Sequence, residues 1–294
     1  MIKDALGDRM KGYEAVTKTT LVGRMPVIIR LDGCHFRTFT RGFKKPFDPL
    51  MIKTMQATMK YLCENIQGCV LGYTQSDEIT LVLVDYQTLN TSAWFDNEVL
   101  KMTSVSASLA TYAFNKYFND FYLEQLAEKD GKTDQYDLVY DKARRKGAYF
   151  DSRVFNVPKE DVTNNVYWRQ TDAERNSILS VGQANFSHKE LQGKSCKNII
   201  AMLEEQKDII WGDLPTTYKR GSCCIKALFI GDDKVTWVGG DMDEDCYKGD
   251  SGKEYIDKFG SNLNFTRKWY IDNDIPKFKD EGRKYIDRLI YIGD

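Results

Sequence analysis

The chain is short of the residues on which many metalloenzymes and secreted proteins depend. It has two histidines, His35 and His188, and its seven cysteines, Cys34, Cys63, Cys69, Cys196, Cys223, Cys224 and Cys246, include no C-x-x-C pair. A zinc site needs clustered Cys and His, so none is expected. An odd number of thiols, several inside apolar segments, reads as reduced cysteine rather than a disulfide framework. No apolar run of about 18 residues exists to span a bilayer, and Met1-Ile2-Lys3-Asp4-Ala5 lacks a signal-peptide core. A cytoplasmic protein is expected. An excess of positive charge is missing as well: 42 Lys and Arg face 43 Asp and Glu, a net charge of −1. Contact with nucleic acid would therefore have to come from local clusters.

Such clusters are present. Arg37, Arg41, Lys44 and Lys45 form one, Arg144-Arg145-Lys146 a second and Lys219-Arg220 a third. The middle one reads first as a solvated face and only weakly as an RNA contact. The 294 residues, 42% hydrophobic, suffice for one large domain or two smaller ones.

The apolar, β-branched run from Met25 to Leu31 reads as a central strand. Asp48 is a helix N-cap with Pro49 at the first helical position, and Leu50, Met51, Met55, Met59 and Leu62 recur at helical spacing up to Gly68. Cys69 to Tyr73 and Ile79 to Val84 read as a hairpin whose polar turn is Thr74 to Glu78. A second helix is expected from about Asn97 to Phe121, with Asp96 and Glu98 at its positive end. Glu128 to Lys142 is expected to be a mobile polar stretch, and Gly147 to Phe155 a fourth strand. The order β-α-β-β-α-β is the split βαβ, or ferredoxin-like, arrangement of an α+β protein. Beyond it, helices are expected over Pro158 to Asn185 and Ser195 to Asp208. A strand pair follows over Lys219 to Ile230 and Lys234 to Gly239, then an acidic loop (241–250) and a final helix over Phe278 to Ile290. Residues 1–156 would form the catalytic unit, and 157–294 would pack on it and complete the nucleotide and RNA site.

Two acidic motifs sit at strand edges: Arg30-Leu31-Asp32-Gly33 and Ser76-Asp77-Glu78. A charge there is costly unless a cation compensates it. The ferredoxin-like order makes Asp32 and Asp77 neighbours, able to hold two Mg²⁺ ions for phosphoryl transfer. Gly33 would let its carbonyl approach a metal without a Cβ in the way. Strand alternation points Glu78 away from Asp77, which favours a structural role for it. Taken singly, each motif also fits an ordinary turn aspartate.

The order and spacing of several motifs resemble those of the tRNA-His guanylyltransferase family. They are Arg30-Leu31-Asp32-Gly33-x-x-Phe36-x-x-Phe39, Lys45-Pro46, Tyr73-x-Gln75-Ser76-Asp77-Glu78 and Lys101-x-x-Ser104-x-x-x-Ser108. Phe150-Asp151-x-Arg153, Trp168-Arg169-Gln170-x-Asp172, Tyr218-Lys219-Arg220-Gly221 and Asp274-Ile275-Pro276 continue the series. The resemblance implies a polymerase-type palm and addition of nucleotides to the 5′ end of tRNA, in the 3′-to-5′ direction, after activation of that end by ATP or GTP. It further implies Asp32, the Gly33 carbonyl and Asp77 as ligands of two Mg²⁺ ions, with Asp32 and Asp77 catalytic. Lys45, Ser76, Lys101, Ser104, Lys219 and Arg220 would contact nucleotide phosphates, and the assembly would be a homotetramer. Phe36, Phe39, Tyr73 and Trp168 are expected in the core, and His35 has no catalytic role.

Two departures bear on substrate. Eukaryotic members carry H-I-N-N where this chain reads Glu174-Arg175-Asn176-Ser177, which favours the guanylyltransferase-like branch that repairs truncated tRNA 5′ ends. Thr74 replaces a usual glycine, which would stiffen the turn without removing a ligand. The competing readings are a nucleotidyl cyclase, which would act on nucleoside triphosphate alone, and a non-catalytic nucleotide-binding regulator built on a decayed palm.

Overall fold

The computed structural model describes residues 4–230, 233–237, 246–248, 255–257, 262–263 and 265–292. Helix α1 (Ala5–Ala15) precedes strand β1 (Val27–Cys34), the single turn α2 (Phe36–Phe39) and helix α3 (Pro49–Asn65). The hairpin β2 (Cys69–Gln75) and β3 (Glu78–Leu83) leads to α4 (Val99–Glu128), α5 (Gln135–Lys146) and β4 (Tyr149–Asn156). The second half holds α6 (Lys159–Asn185), α7 (His188–Leu191), α8 (Cys196–Lys207) and α9 (Thr216–Arg220). Strands β5 (Ser222–Ile230), β6 (Asp233–Trp237), β7 (Cys246–Lys248), β8 (Tyr255–Asp257), β9 (Asn262–Leu263) and β10 (Phe265–Asp272) follow, then α10 (Lys284–Ile290).

The main sheet runs β10-β5-β2-β3-β1-β4 with β6 added to β5, and every pairing is antiparallel. Its four central-to-edge strands β2-β3-β1-β4 have the expected ferredoxin-like order, and β1 lies beside the hairpin as the topology required. Strands β5 and β10 extend that same sheet. Strand alternation divides the core. Val27, Ile29 and Leu31 face a cluster with α3 and α4, including Phe36, Phe39, Phe114 and Phe118. Ile28, Val82 and Tyr73 face Val162 and Val166 of α6 and Ile286 and Leu289 of α10.

Asp48 caps α3 as its sequence predicts, its carboxylate accepting from the Met51 N–H at 3.0 Å. Other boundaries shift for physical reasons. The hairpin turn is two residues, Ser76 and Asp77, because the strands pair as far as Gln75↔Glu78 and Ser76 takes a left-handed φ of 49°. The stretch expected to be mobile contains α5, nucleated by a reciprocal capping box between Asp134 and Asp137. Lys219 and Arg220 end a short helix rather than start a strand. Trp168 is 53% exposed, whereas Phe36, Phe39 and Tyr73 are buried. The last helix is cut to Lys284–Ile290 behind a 3-10 turn at Asp280–Arg283. Of the acidic segment 241–250, only Cys246–Lys248 belongs to the described residues.

Candidate active site

The two aspartates are joined through the backbone. Asp32 lies inside β1, paired in register with Glu78 on one side and Asp151 on the other. The next residue, Gly33, donates its N–H to the Asp77 carbonyl at 3.1 Å. Strand end and hairpin turn are thereby locked together. A Cβ on Gly33 would fall 2.2 Å from the Phe36 ring. The glycine is therefore required by the aromatic packing behind the site, a reason the sequence did not disclose.

Burial raises the Asp77 carboxyl above the usual carboxylate range, the Ser76 hydroxyl (2.9 Å) pulls it partly back, and Asp32 raises it further. Among the described residues no Lys or Arg is ion-paired with Asp32 or Asp77. Two uncompensated carboxylates beside a backbone carbonyl make an all-oxygen donor set, which suits a hard cation such as Mg²⁺. Among the described residues no cluster of three His, Cys, Asp or Glu side chains could hold a metal, so any ion here would complete its shell with carbonyls, water or substrate.

Glu78 has a different partner. Arg169 of α6 grips it through two hydrogen bonds of 2.6 and 2.7 Å, and Arg169 also reaches Asp172 at 3.2 Å. Burial raises the Glu78 carboxyl and Arg169 lowers it. Thr74 adds a hydrogen bond from its hydroxyl to the Glu78 carbonyl at 2.9 Å, tying the hairpin together.

Asp77 and Ser76 form part of the wall of a cavity of about 410 Å³. The β1–α3 connection supplies Arg37, Lys44 and Lys45, α6 supplies Asn176, Ser177 and Ser180, and α9 supplies Tyr218 and Lys219. Phe47 and Tyr218 stack across it with centroids 4.6 Å apart. Trp211 steadies the α6 wall by donating its indole N–H to Ser177 at 3.0 Å. The Lys44–Lys45 loop is held from behind by Asp48, whose second oxygen accepts from the Lys44 N–H (2.9 Å) and the Tyr140 hydroxyl (2.6 Å). Lys44 itself lies 5.1 Å over the Tyr136 ring, so both α5 tyrosines serve this loop.

The α9 side is set by Gly221. Its φ is +82° and a Cβ would lie 2.2 Å from the Thr74 carbonyl oxygen, a close approach only glycine permits. Tyr73 donates its hydroxyl to the Arg220 carbonyl at 2.8 Å.

The structure thus brings Lys45, Ser76, Asp77 and Lys219 to one cavity, with Asp32 and Gly33 beside them. It does not bring in Arg220, Lys101 or Ser104. Arg220 is ion-paired at 3.3 Å with Glu174, and Glu174 also meets Lys277 at 3.3 Å. Lys101 and Ser104 lie in the first turns of α4, which runs antiparallel to β4, with Ser106 bonded to Ser152 and Asn115 to Ala148. That places them toward the opposite end of the sheet from Asp32, with Lys101 over the Phe95 ring. Arg144 and Arg145 both pair with Asp141 at the end of α5, while Lys146 is exposed there. Arg37 and Lys44 belong to the basic cluster before Pro46 that the sequence offers for phosphate contacts, whereas Asn176, Ser177, Ser180 and Tyr218 were not assigned to the site from sequence.

A palm that carries Asp32 in β1 and Asp77 in the adjoining hairpin turn, beside a cavity lined by Arg and Lys, has the architecture of polymerase-type nucleotidyltransferases. Residues 7–158 match the family model described as Thg1, tRNAHis guanylyltransferase, and the chain belongs to that family. A bacterial tRNA(His) guanylyltransferase (Thg1)-like protein solved with ATP is 35% identical, with 98% of this chain and 100% of that one aligned at a TM-score of 0.74. A structure of that description with GTP aligns over the same shares at 33% identity and a TM-score of 0.69. The probable tRNA(His) guanylyltransferase of Drosophila melanogaster is 26% identical over 80% of this chain and 78% of its own length. Among the described residues no helix is long and apolar enough to cross a membrane.

Proposed function

We propose that this enzyme adds nucleotides to the 5′ end of tRNA in the 3′-to-5′ direction, and that it serves 5′-end repair rather than a single G addition to tRNA-His. One observation carries the reading: the backbone-locked pair Asp32 and Asp77 stands at the mouth of a cavity whose walls are cationic and whose size suits a nucleoside triphosphate. Glu174 supports the repair branch, since it turns the histidine position into an anchor for Arg220.

In this reading Asp32, the Gly33 carbonyl and Asp77 hold two Mg²⁺ ions. When bound, such ions stabilise the attacking and leaving oxygens of a phosphoryl transfer. Lys44, Lys45, Arg37 and Lys219 bind the polyphosphate of ATP or GTP, and the Ser76 hydroxyl donates to Asp77, orienting its carboxylate. The Arg169–Glu78 pair fixes β3 at its first residue, directly after the turn that carries Asp77, so the carboxylate meets substrate without reorganisation. Lys101, Ser104 and Arg220 belong to the family motif but, within one chain, act at a distance from this cavity. Among the described residues Lys146 is the member of its basic run with no carboxylate partner, which supports an outer tRNA contact there.

We place the enzyme in the cytoplasm and as a homotetramer. Helix α1 supports a multimer: none of its residues is buried, and Leu6, Met10 and Tyr13 form an exposed stripe at helical spacing. The deciding experiment is extension of a 5′-truncated tRNA, supplied with a 5′-triphosphate, by Mg²⁺ and nucleoside triphosphates, for tRNA-His and one other tRNA. Extension of both fits repair. Turnover of triphosphate without an RNA acceptor would instead indicate a cyclase, and inactivity with intact nucleotide binding a regulator.

A further inference from the structure

The cavity accounts for one substrate but leaves the other side of Asp32 open. On the face of the sheet opposite α3 and α4, β1 presents Arg30 and Asp32, and the edge strand β4 presents Tyr149, Asp151 and Arg153 in register beside them. Helix α6 covers this face only in part. Tyr149 is 60% exposed, the Arg153 side chain 54%, and Trp168 of α6, over Arg30 of the strip, is itself half-exposed. Its ring lies 5.8 Å from the Arg30 guanidinium and 4.5 Å from that of Arg169.

These residues form two rows. Asp32 and Asp151 oppose one another in one, Arg30 and Arg153 in the next, about 7 Å back along the strands. Arg169 is already engaged by Glu78 and Asp172. Arg30 has no ion pair or hydrogen bond among the described residues, and Arg153 reaches Asp151 only at 4.0 Å. Arg30, half-buried and near enough to Glu78 to lower its carboxyl, and the more exposed Arg153 thus lie beside the indole, one strand step from a proposed metal ligand. An indole lying over cations with half of its surface open to solvent suits a base face and its phosphates.

We propose that this strip receives the open end of an RNA helix, with Trp168 stacked on the terminal base pair and Arg30 and Arg153 against its first phosphates. The proposal rests on the tRNA reading above and extends it: the nucleoside triphosphate and the RNA end approach the Asp32–Gly33–Asp77 unit from opposite sides. Exposed Trp168 then has a use, and phosphates held on the arginine row lie one strand step from Asp32, where the 5′ end has to react.

The test uses the full chain and two fluorescent RNAs without added nucleotide: a hairpin with an open, 5′-phosphorylated end, and the same stem closed by a second loop. Wild type should prefer the open end. Trp168→Ala should lose about tenfold for the open hairpin, the scale of one base–aromatic stack, and little for the closed one. Trp168→Phe should restore most of the loss. Arg153→Ala should weaken both and reduce the salt slope by about one. ATP affinity, which reads the separate cavity, should stay unchanged in each variant and reports that the fold is intact. Equal binding of the open hairpin by wild type and both Trp168 variants would overturn the proposal and leave the strip to a protein partner. Extension of tRNA by wild type, measured separately, judges the underlying reading: extension with Trp168-independent binding sinks the strip alone, and end-specific binding without extension sinks the polymerase alone.

Discussion

The Gly33 amide donates to the Asp77 carbonyl at 3.1 Å, so the strand that carries one carboxylate and the turn that carries the other cannot move independently. Asp77 is partly buried with its carboxyl raised by that burial and by Asp32. Its charge is tolerated for chemistry rather than for stability.

From this follows a pH- and metal-dependent effect. A carboxyl whose pKa is raised by folding favours the folded state below its ordinary value of about 3.9, and that contribution is lost as pH rises through the folded pKa. In metal-free protein Asp77→Asn should therefore melt higher than wild type near neutral pH, and the advantage should vanish toward about pH 3. Added Mg²⁺ should raise the wild-type melting temperature but not that of the variant, and nucleotide addition should be abolished. An equal Mg²⁺ shift in both proteins would remove Asp77 from the ligand set.

Arg169→Ala should cost about 3–5 kcal/mol, because it strands the buried Glu78 carboxylate. The double variant Arg169→Met with Glu78→Leu should recover much of that stability in urea melts, yet not activity, since the strand next to the Asp77 turn loses its brace. If the single and double variants are equally unstable, the pair is not what holds the strand.

Gly221→Ala and Gly131→Ala both place alanine at a φ near +80° (82° and 77°), but only Gly221 has backbone within 4 Å. Gly131→Ala should cost about 1 kcal/mol, the price of the left-handed conformation alone. Gly221→Ala should cost clearly more and raise the KM for nucleoside triphosphate by displacing Lys219. Calorimetry and initial-rate kinetics on the two variants give the comparison.

Tyr140→Phe removes one hydroxyl from the Asp48 carboxylate behind the Lys44–Lys45 loop. A loss of about 1.5 kcal/mol or more is expected for a hydrogen bond to a charged group. Because the lysines are loosened rather than removed, the KM for triphosphate should rise several-fold with kcat little changed. The opposite split, an intact KM and a reduced kcat, would show that α5 does not position this loop.

Local signals in the sequence proved the most legible. Asp48-Pro49 marks the start of α3, the apolar run from Ile79 marks β3, and the order of elements places Asp32 beside Asp77. What the sequence hid depends on distant partners. The composition of 128–142 is polar enough for a loop, but Asp134 and Asp137 cap a helix there whose Tyr136 and Tyr140 pack inward. Trp168 has the hydrophobicity of a core residue, and only the path of α6 across the sheet leaves it in water. Motif membership put Lys101 and Ser104 among nucleotide contacts, whereas the antiparallel run of α4 on β4 carries them toward the far end. Arg220 has the family's neighbours in sequence, while in space it pairs with Glu174.

The pairing of β2 with β5, Leu71↔Ile225 through Thr74↔Ser222, also bears on the order in which the protein can be made. As the chain leaves the ribosome, β1, β3 and β4 can complete their ladders while β2 still has one open edge, apolar and rich in β-branched and aromatic neighbours. That edge stays a template for mispairing until Ser222 and the residues after it have been synthesised. The long helix α6, which reaches over the other face of the sheet through Val162 and Val166, arrives first and shields one face of that strand, but it cannot close the edge.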